Sequence, residues 1–187
     1  MQTDAVRRAV RQRTAATAGV VAATLALAGC AGSDAPPPAC PQAVTLADAA
    51  RVVAFVDGKR DLTDKRYEAR ILDVASACEI DTADDGSKTV RAEVKIAFQA
   101  EKGPANAEGE VPIRYFLAIA DSERNILRRR AFGLTVSLPG NTTQGRAVDT
   151  LAPTLPLGAD ANPQGYRFIV GFELDREQLR HNRRNPL

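Results

Sequence analysis

From Val90 to Glu101 the sequence alternates, with Ala97 the single apolar residue on the polar parity. Val90, Ala92, Val94, Ile96, Phe98 and Ala100 fall on one parity, and Arg91, Glu93, Lys95, Gln99 and Glu101 on the other. A period of two over so many positions cannot form the apolar stripe of a helix, whose period is 3.6. It describes a strand with one face buried and one wet, as found in antiparallel sheets covered on a single side. Such a strand needs neighbours and a second layer, so the rest of the chain must supply sheet.

It does. Tyr67 to Ile80 is a long extended run in which Ala69 and Ile71 hold one parity, while Leu72, Val74, Cys78 and Ile80 hold the other. That change predicts a bulge near Ile71–Leu72. Asp84-Asp85-Gly86-Ser87 between the two runs reads as a hairpin turn. After the break at Gly103-Pro104, Val111–Ala120 is apolar on both faces apart from Arg114, which predicts a central strand. Asp121–Asn125 turns the chain into Ile126–Leu138, with Phe132, Leu134, Val136 and Leu138 on one face. Arg146–Leu157 contains Pro153 and Pro156 and is predicted at a sheet edge. Tyr166, Phe168, Val170, Phe172 and Leu174 form the last strand.

Earlier, Val44–Val56 reads as a short turn or helix followed by a strand, and Asp61–Asp64 as loop. Asp175, with Gln178 three residues on, caps a short terminal helix ending at Arg183-Arg184. About seven strands with turn chemistry between them and no crossover helices predict an all-β fold. We expect an immunoglobulin or fibronectin III-like antiparallel β-sandwich spanning 40–187, rather than a barrel or an α/β fold.

The first residues have another character. Arg7, Arg8, Arg11 and Arg13 precede an unbroken small and apolar run, Ala15–Ala28, followed by Gly29 and Cys30. This has the three parts of a signal peptide, and its apolar stretch is too short to span a bilayer. Leu27-Ala28-Gly29-Cys30 resembles the lipobox of bacterial lipoproteins. It implies cleavage of a signal helix (1–29) between Gly29 and Cys30, and lipidation of Cys30 by palmitate-like chains. Two or three chains, at roughly 0.8 kcal/mol per buried CH2, anchor a protein stably in the lipid bilayer. Residues 30–39 read as a tether stiffened by Pro36, Pro37 and Pro38, reaching no more than about 30 Å. Ala31 rather than Asp follows the cysteine. By analogy with lipoprotein sorting this suggests the outer membrane, facing the periplasm, with the inner membrane as second choice.

Of 25 basic and 23 acidic residues, the leader holds four arginines and one aspartate, so the mature chain is close to neutral. Bulk charge therefore argues for neither a nucleic-acid partner nor a strongly anionic surface, and no nucleic acid is expected. The chain has three cysteines. With Cys30 lipidated, Cys40 and Cys78 remain, and an even pair in an exported chain predicts a disulfide. Two sulfurs and one distant histidine supply no structural zinc set.

Several signposts occur together: the lipobox, Ala39-Cys40-Pro41, Asp61-Leu62-Thr63-Asp64, Cys78, Lys102-Gly103-Pro104-Ala105-Asn106, Pro139-Gly140-Asn141-Thr142, and Val170-Gly171-Phe172 with Gln178-Leu179 and Asn182-Arg183-Arg184. In this order they resemble a family of uncharacterised alphaproteobacterial lipoproteins with an immunoglobulin-like sandwich. The resemblance covers the mature chain and implies location and fold; it brings no catalytic residues and no cofactor.

Candidate chemistry is sparse. His181 is the single histidine, so Ser–His or Cys–His catalysis lacks its parts. Asp81–Gly86 has Ala83 and Ala92 where a calcium loop needs oxygen ligands, and Glu108 and Glu110 lie in a Gly/Ala-rich loop without aromatic sugar platforms. We therefore expect no enzyme, metal site or cofactor. Arg128-Arg129-Arg130 is the one possible basic contact patch, although a strand sends two of the three one way and one the other. The expected function is a non-catalytic structural or protein-interaction module with an unidentified envelope partner. The alternative is a small-ligand or glycan-binding lipoprotein or, further off, a hydrolase.

Overall fold

The computed structural model describes residues 40–57, 59 and 61–186. The leader, the Gly29–Cys30 cleavage and lipidation site and the tether 31–39 lie outside the described residues. Two sheets pack face to face. In chain order the strands are β1 (Gln42–Thr45), β2 (Arg51–Phe55), β3 (Lys65–Thr82), β4 (Lys88–Lys102), β5 (Glu110–Ala120), β6 (Ile126–Ser137), β7 (Gln144–Leu151), β8 (Thr154–Leu157) and β9 (Arg167–Phe172). A terminal helix, α1 (Arg176–Arg184), follows. One sheet runs β1-β9-β5-β6, and the other runs β2-β3-β4-β7 with β8 also paired to β4.

The alternation in β4 does what its pattern demands. Val90, Ala92, Val94, Ile96, Phe98 and Ala100 are all buried, facing Val111, Ile113, Tyr115 and Leu117 of β5 and Phe168, Val170 and Phe172 of β9 in one core. The register of β3 against β4 shifts between Ile71 and Asp73, the bulge the parity change predicts. The β3–β4 hairpin closes at Gly86 with φ +81°, a backbone region that favours glycine. Gly103 ends β4 where a Cβ would lie 2.1 Å from the Lys65 carbonyl oxygen, so only glycine lets the chain leave the sheet there.

Several expectations are refined. There are nine strands among the described residues, where the pattern suggests about seven. β1 is too short to show a period and pairs in parallel with β9. Leu62–Asp64 is a turn of 3-10 helix rather than plain loop. The proline-marked run is an edge, as expected, but it is split. β7 pairs with Val94–Glu101 and β8 with Lys88–Arg91, with Ala152 and Pro153 between them. β5 is central only from Tyr115 onward, where β9 joins it. Pro112 lies in the part paired to β6 alone, where its missing N–H leaves no ladder bond unmade.

The predicted disulfide is present. Cys40 and Cys78 are bonded, with Cα atoms 5.7 Å apart. The Ser76 hydroxyl donates to the Pro41 carbonyl at 2.9 Å beside them. Together they fasten the start of the domain, leading into one sheet, to β3 of the other.

The helix forms for the reason its sequence gives. The Asp175 carboxylate accepts from the Glu177 and Gln178 amides, and Gln178 accepts from the Asp175 amide, a reciprocal cap. The same Gln178 donates to the Val53 carbonyl, and the buried Asn182 donates to the carbonyls of Asp48 and Arg51 at 2.9 and 2.7 Å. The helix thus satisfies outer carbonyls of edge strand β2. Each such bond contributes about 1 kcal/mol, and a buried carbonyl left unpaired costs more.

Candidate functional site

The two lateral openings of the sandwich differ. On the β2 side the helix covers the edge. On the other side β6 and β7–β8 end their sheets, and among the described residues no element lies over them. There a cleft of about 290 Å³ opens between the sheets, lined by Leu117, Ile119, Arg128, Arg130, Phe132 and the Leu151–Thr154 break between β7 and β8.

The register of β6 on β5 fixes which arginines reach it. Phe132 lies opposite Tyr115, Arg130 opposite Leu117 and Arg128 opposite Ile119. The partners of all three belong to the core, so Arg128 and Arg130 stand on the inner face of the sheet, at positions where a sandwich ordinarily keeps apolar side chains. Arg130 leans on the Phe132 ring, its guanidinium carbon 5.8 Å from the ring centroid. Among the described residues neither arginine has a carboxylate partner, although both remain exposed to water.

Arg129 is different. It points outward, pairs with Glu173 at 2.5 Å and lies 4.3 Å over the Phe116 ring. That ring belongs to a small outer cluster with Ala49 and Ala118. The pair is half exposed and stabilises by no more than about 1 kcal/mol. The three arginines therefore form no single patch: two line the cleft and one is tied down on the outer face. His181 lies on α1, beside the covered edge.

Behind the cleft the core carries one polar pair. The Tyr115 hydroxyl donates to the Asp149 carboxylate, which also accepts from the Thr150 amide. Tyr115 stacks on Phe132 with centroids 5.6 Å apart, so the pair and the cleft share a wall. Burial, then the hydrogen bond and the Asp149 charge, push the Tyr115 phenol far above its ordinary value. Tyr67 is also raised, by burial first. An unfolded tyrosine ionises near about pH 10 while folded Tyr115 keeps its proton. Its contribution is complete below about pH 10 and is lost as pH rises through the folded value. In thermal melts from pH 8 to 12 we expect stability to fall from about pH 10 upward, and to fall less steeply in Tyr115→Phe. Equal slopes would contradict this.

Arg128–Arg130 stand out in the sequence, whereas the cleft walls and Asp149 do not. A signal for Asp149 exists: it is the one carboxylate in phase with the inward Gly145, Ala147 and Leu151 of β7.

The fold and site together define a two-sheet β-sandwich, tied at its start by a disulfide and, among the described residues, open along one side. No protein-family model and no curated protein matches the chain. Among solved structures it is similar to the variable (V) domain of the AgI/II polypeptide BspA of Streptococcus agalactiae, at 12% identity, covering 71% of this chain and 78% of that chain with a TM-score of 0.23. That likeness is too slight to carry an argument about fold or function.

Proposed function

We propose that the chain is a membrane-anchored envelope lipoprotein, cleaved before Cys30 and lipidated on it, whose sandwich acts as a non-catalytic protein-interaction module at the outer membrane, facing the periplasm. The leader and lipobox support the anchor, and the Cys40–Cys78 disulfide is what an oxidising compartment allows. "Immunoglobulin-like" describes the architecture of two packed sheets. The strand orders, β1-β9-β5-β6 in one sheet and β2-β3-β4-β7 in the other, match neither the constant-type nor the variable-type immunoglobulin arrangement. The observation that carries the interaction reading is an asymmetry among the described residues: a helix satisfies the β2 edge, while β6 and β7–β8 present free strand edges and two inward arginines without a carboxylate partner. A small-ligand or glycan-binding lipoprotein is the second reading, favoured by the apolar wall of the same cleft.

Labelled palmitate is expected to enter the wild type and not Cys30→Ala; if both fractionate as soluble protein, the anchor is wrong. In-cell crosslinking with mass spectrometry, comparing the same two forms, is expected to give a reproducible protein partner that depends on anchoring. No partner, together with a thermal shift on adding a muropeptide, would reverse the ranking of the two readings.

A further inference from the structure

Strand β6 ends its sheet, so half of its backbone donors and acceptors have no ladder partner among the described residues. Ile126 and Leu127 at its start are exposed apolar residues. Its inner face carries Arg128, Arg130 and Phe132 in succession, over the buried Leu117 and Ile119. Inward charges on an edge strand discourage pairing with arbitrary strands. An added strand bearing apolar side chains would cover two guanidiniums and leave them desolvated without a counter-charge. The same arrangement admits one kind of strand. Side chains two residues apart share a face, so a strand paired along β6 with carboxylates at two alternate positions sets them opposite Arg128 and Arg130. The next position on that face meets Phe132 and asks for an apolar residue. Rejection of neutral strands and acceptance of an acidic one come from a single feature, which is how specificity arises as a difference of affinities.

From this we infer that β6 receives an extended acidic segment of a partner protein as an additional strand, with alternate carboxylates paired to Arg128 and Arg130. The inference rests on the interaction-module reading and names the chemistry of the partner. A second copy of this chain fits less well as the occupant. The matching edge strand β7 offers one inward carboxylate, Asp149, and Tyr115 already holds it.

The test uses the full chain in detergent and a fluorescent peptide of threonine and valine with aspartate at two alternate positions. Control peptides carry asparagine or lysine there, or place the two aspartates side by side. Anisotropy is expected to show the alternate-aspartate peptide binding about tenfold or more tighter than the asparagine peptide, since close charge pairs in an interface couple strongly. Hydrogen exchange should slow at β6 amides. The double variant Arg128→Glu/Arg130→Glu is expected to lose this binding and to take the lysine peptide instead, a gain that only a folded domain can show. Equal binding of side-by-side aspartates, protection at β7–β8 in place of β6, or concentration-dependent dimerisation through β6 would each overturn the inference. So would an unchanged affinity in Arg128→Gln/Arg130→Gln. If the peptides fail while in-cell crosslinking still yields an anchoring-dependent partner, the inference falls and the module reading stands. Loss of the crosslinked partner removes that reading itself.

Discussion

Phe98→Ala is expected to lower the melting temperature by on the order of 10 °C, from a loss of about 3–5 kcal/mol. Phe98 has no exposed surface and sits in the middle of β4. Its ring lies 4.9 Å from the Tyr115 centroid and 6.0 Å from that of Phe172, so it joins the two sheets through strands β5 and β9. Truncation removes the transfer free energy of the ring and leaves a cavity. The walls cannot close it, because Tyr115 is held by Asp149 and by stacking on Phe132. Phe98→Leu should cost less, since it keeps most of the volume. Thermal melts followed by circular dichroism check the series, and a drop of only about 2 °C in the alanine variant would mean that the sheets do not meet at this ring.

Loss of the Cys40–Cys78 bond is expected to have a comparable effect by a different route. The cysteines are 38 residues apart, and closing a loop of that size contributes about 4 kcal/mol in the chain-entropy model. Phe98 acts on native packing, whereas the crosslink acts chiefly on the unfolded ensemble. The double variant Cys40→Ala/Cys78→Ala should therefore melt on the order of 10 °C lower with the same core, and added reductant should bring the wild type to the same point without affecting the variant. Locally, β1 would keep its parallel pairing to β9 and the Ser76–Pro41 hydrogen bond, but its start would fray. A wild type whose melting ignores reductant would contradict the account.

What could be read from the chain alone follows from how local each signal is. The buried face of β4, the bulge of β3, the Gly86 turn and the Asp175–Gln178 cap are each written in neighbouring residues. The pairing of Cys40 with Cys78 needed only a count and a compartment. β1 could not be read, because four residues carry no period and their partner lies far along the chain in β9. Nor could the break at Ala152–Pro153, since either proline alone would suit one continuous edge strand. The arginine run shows the boundary best. The period of two says that Arg128 and Arg130 share a face, but only the register against Leu117 and Ile119 says it is the inner one. The cleft is built from β5, β6, the end of β7, the start of β8 and the break between the last two, so no single stretch of sequence encodes it.

The bare side of the sandwich carries the functional account, and the contrast with the helix-covered side makes it testable in the cell. A photo-reactive amino acid placed at Leu127 or at Thr154 reports on the β6 and β7–β8 edges, and one placed at Arg180 reports on α1. The account predicts a discrete adduct of one size from the first two positions and none from the third, with the adduct lost in Arg128→Glu/Arg130→Glu. An adduct from Arg180 alone, or adducts from Leu127 and Thr154 that survive the charge reversal, would contradict it.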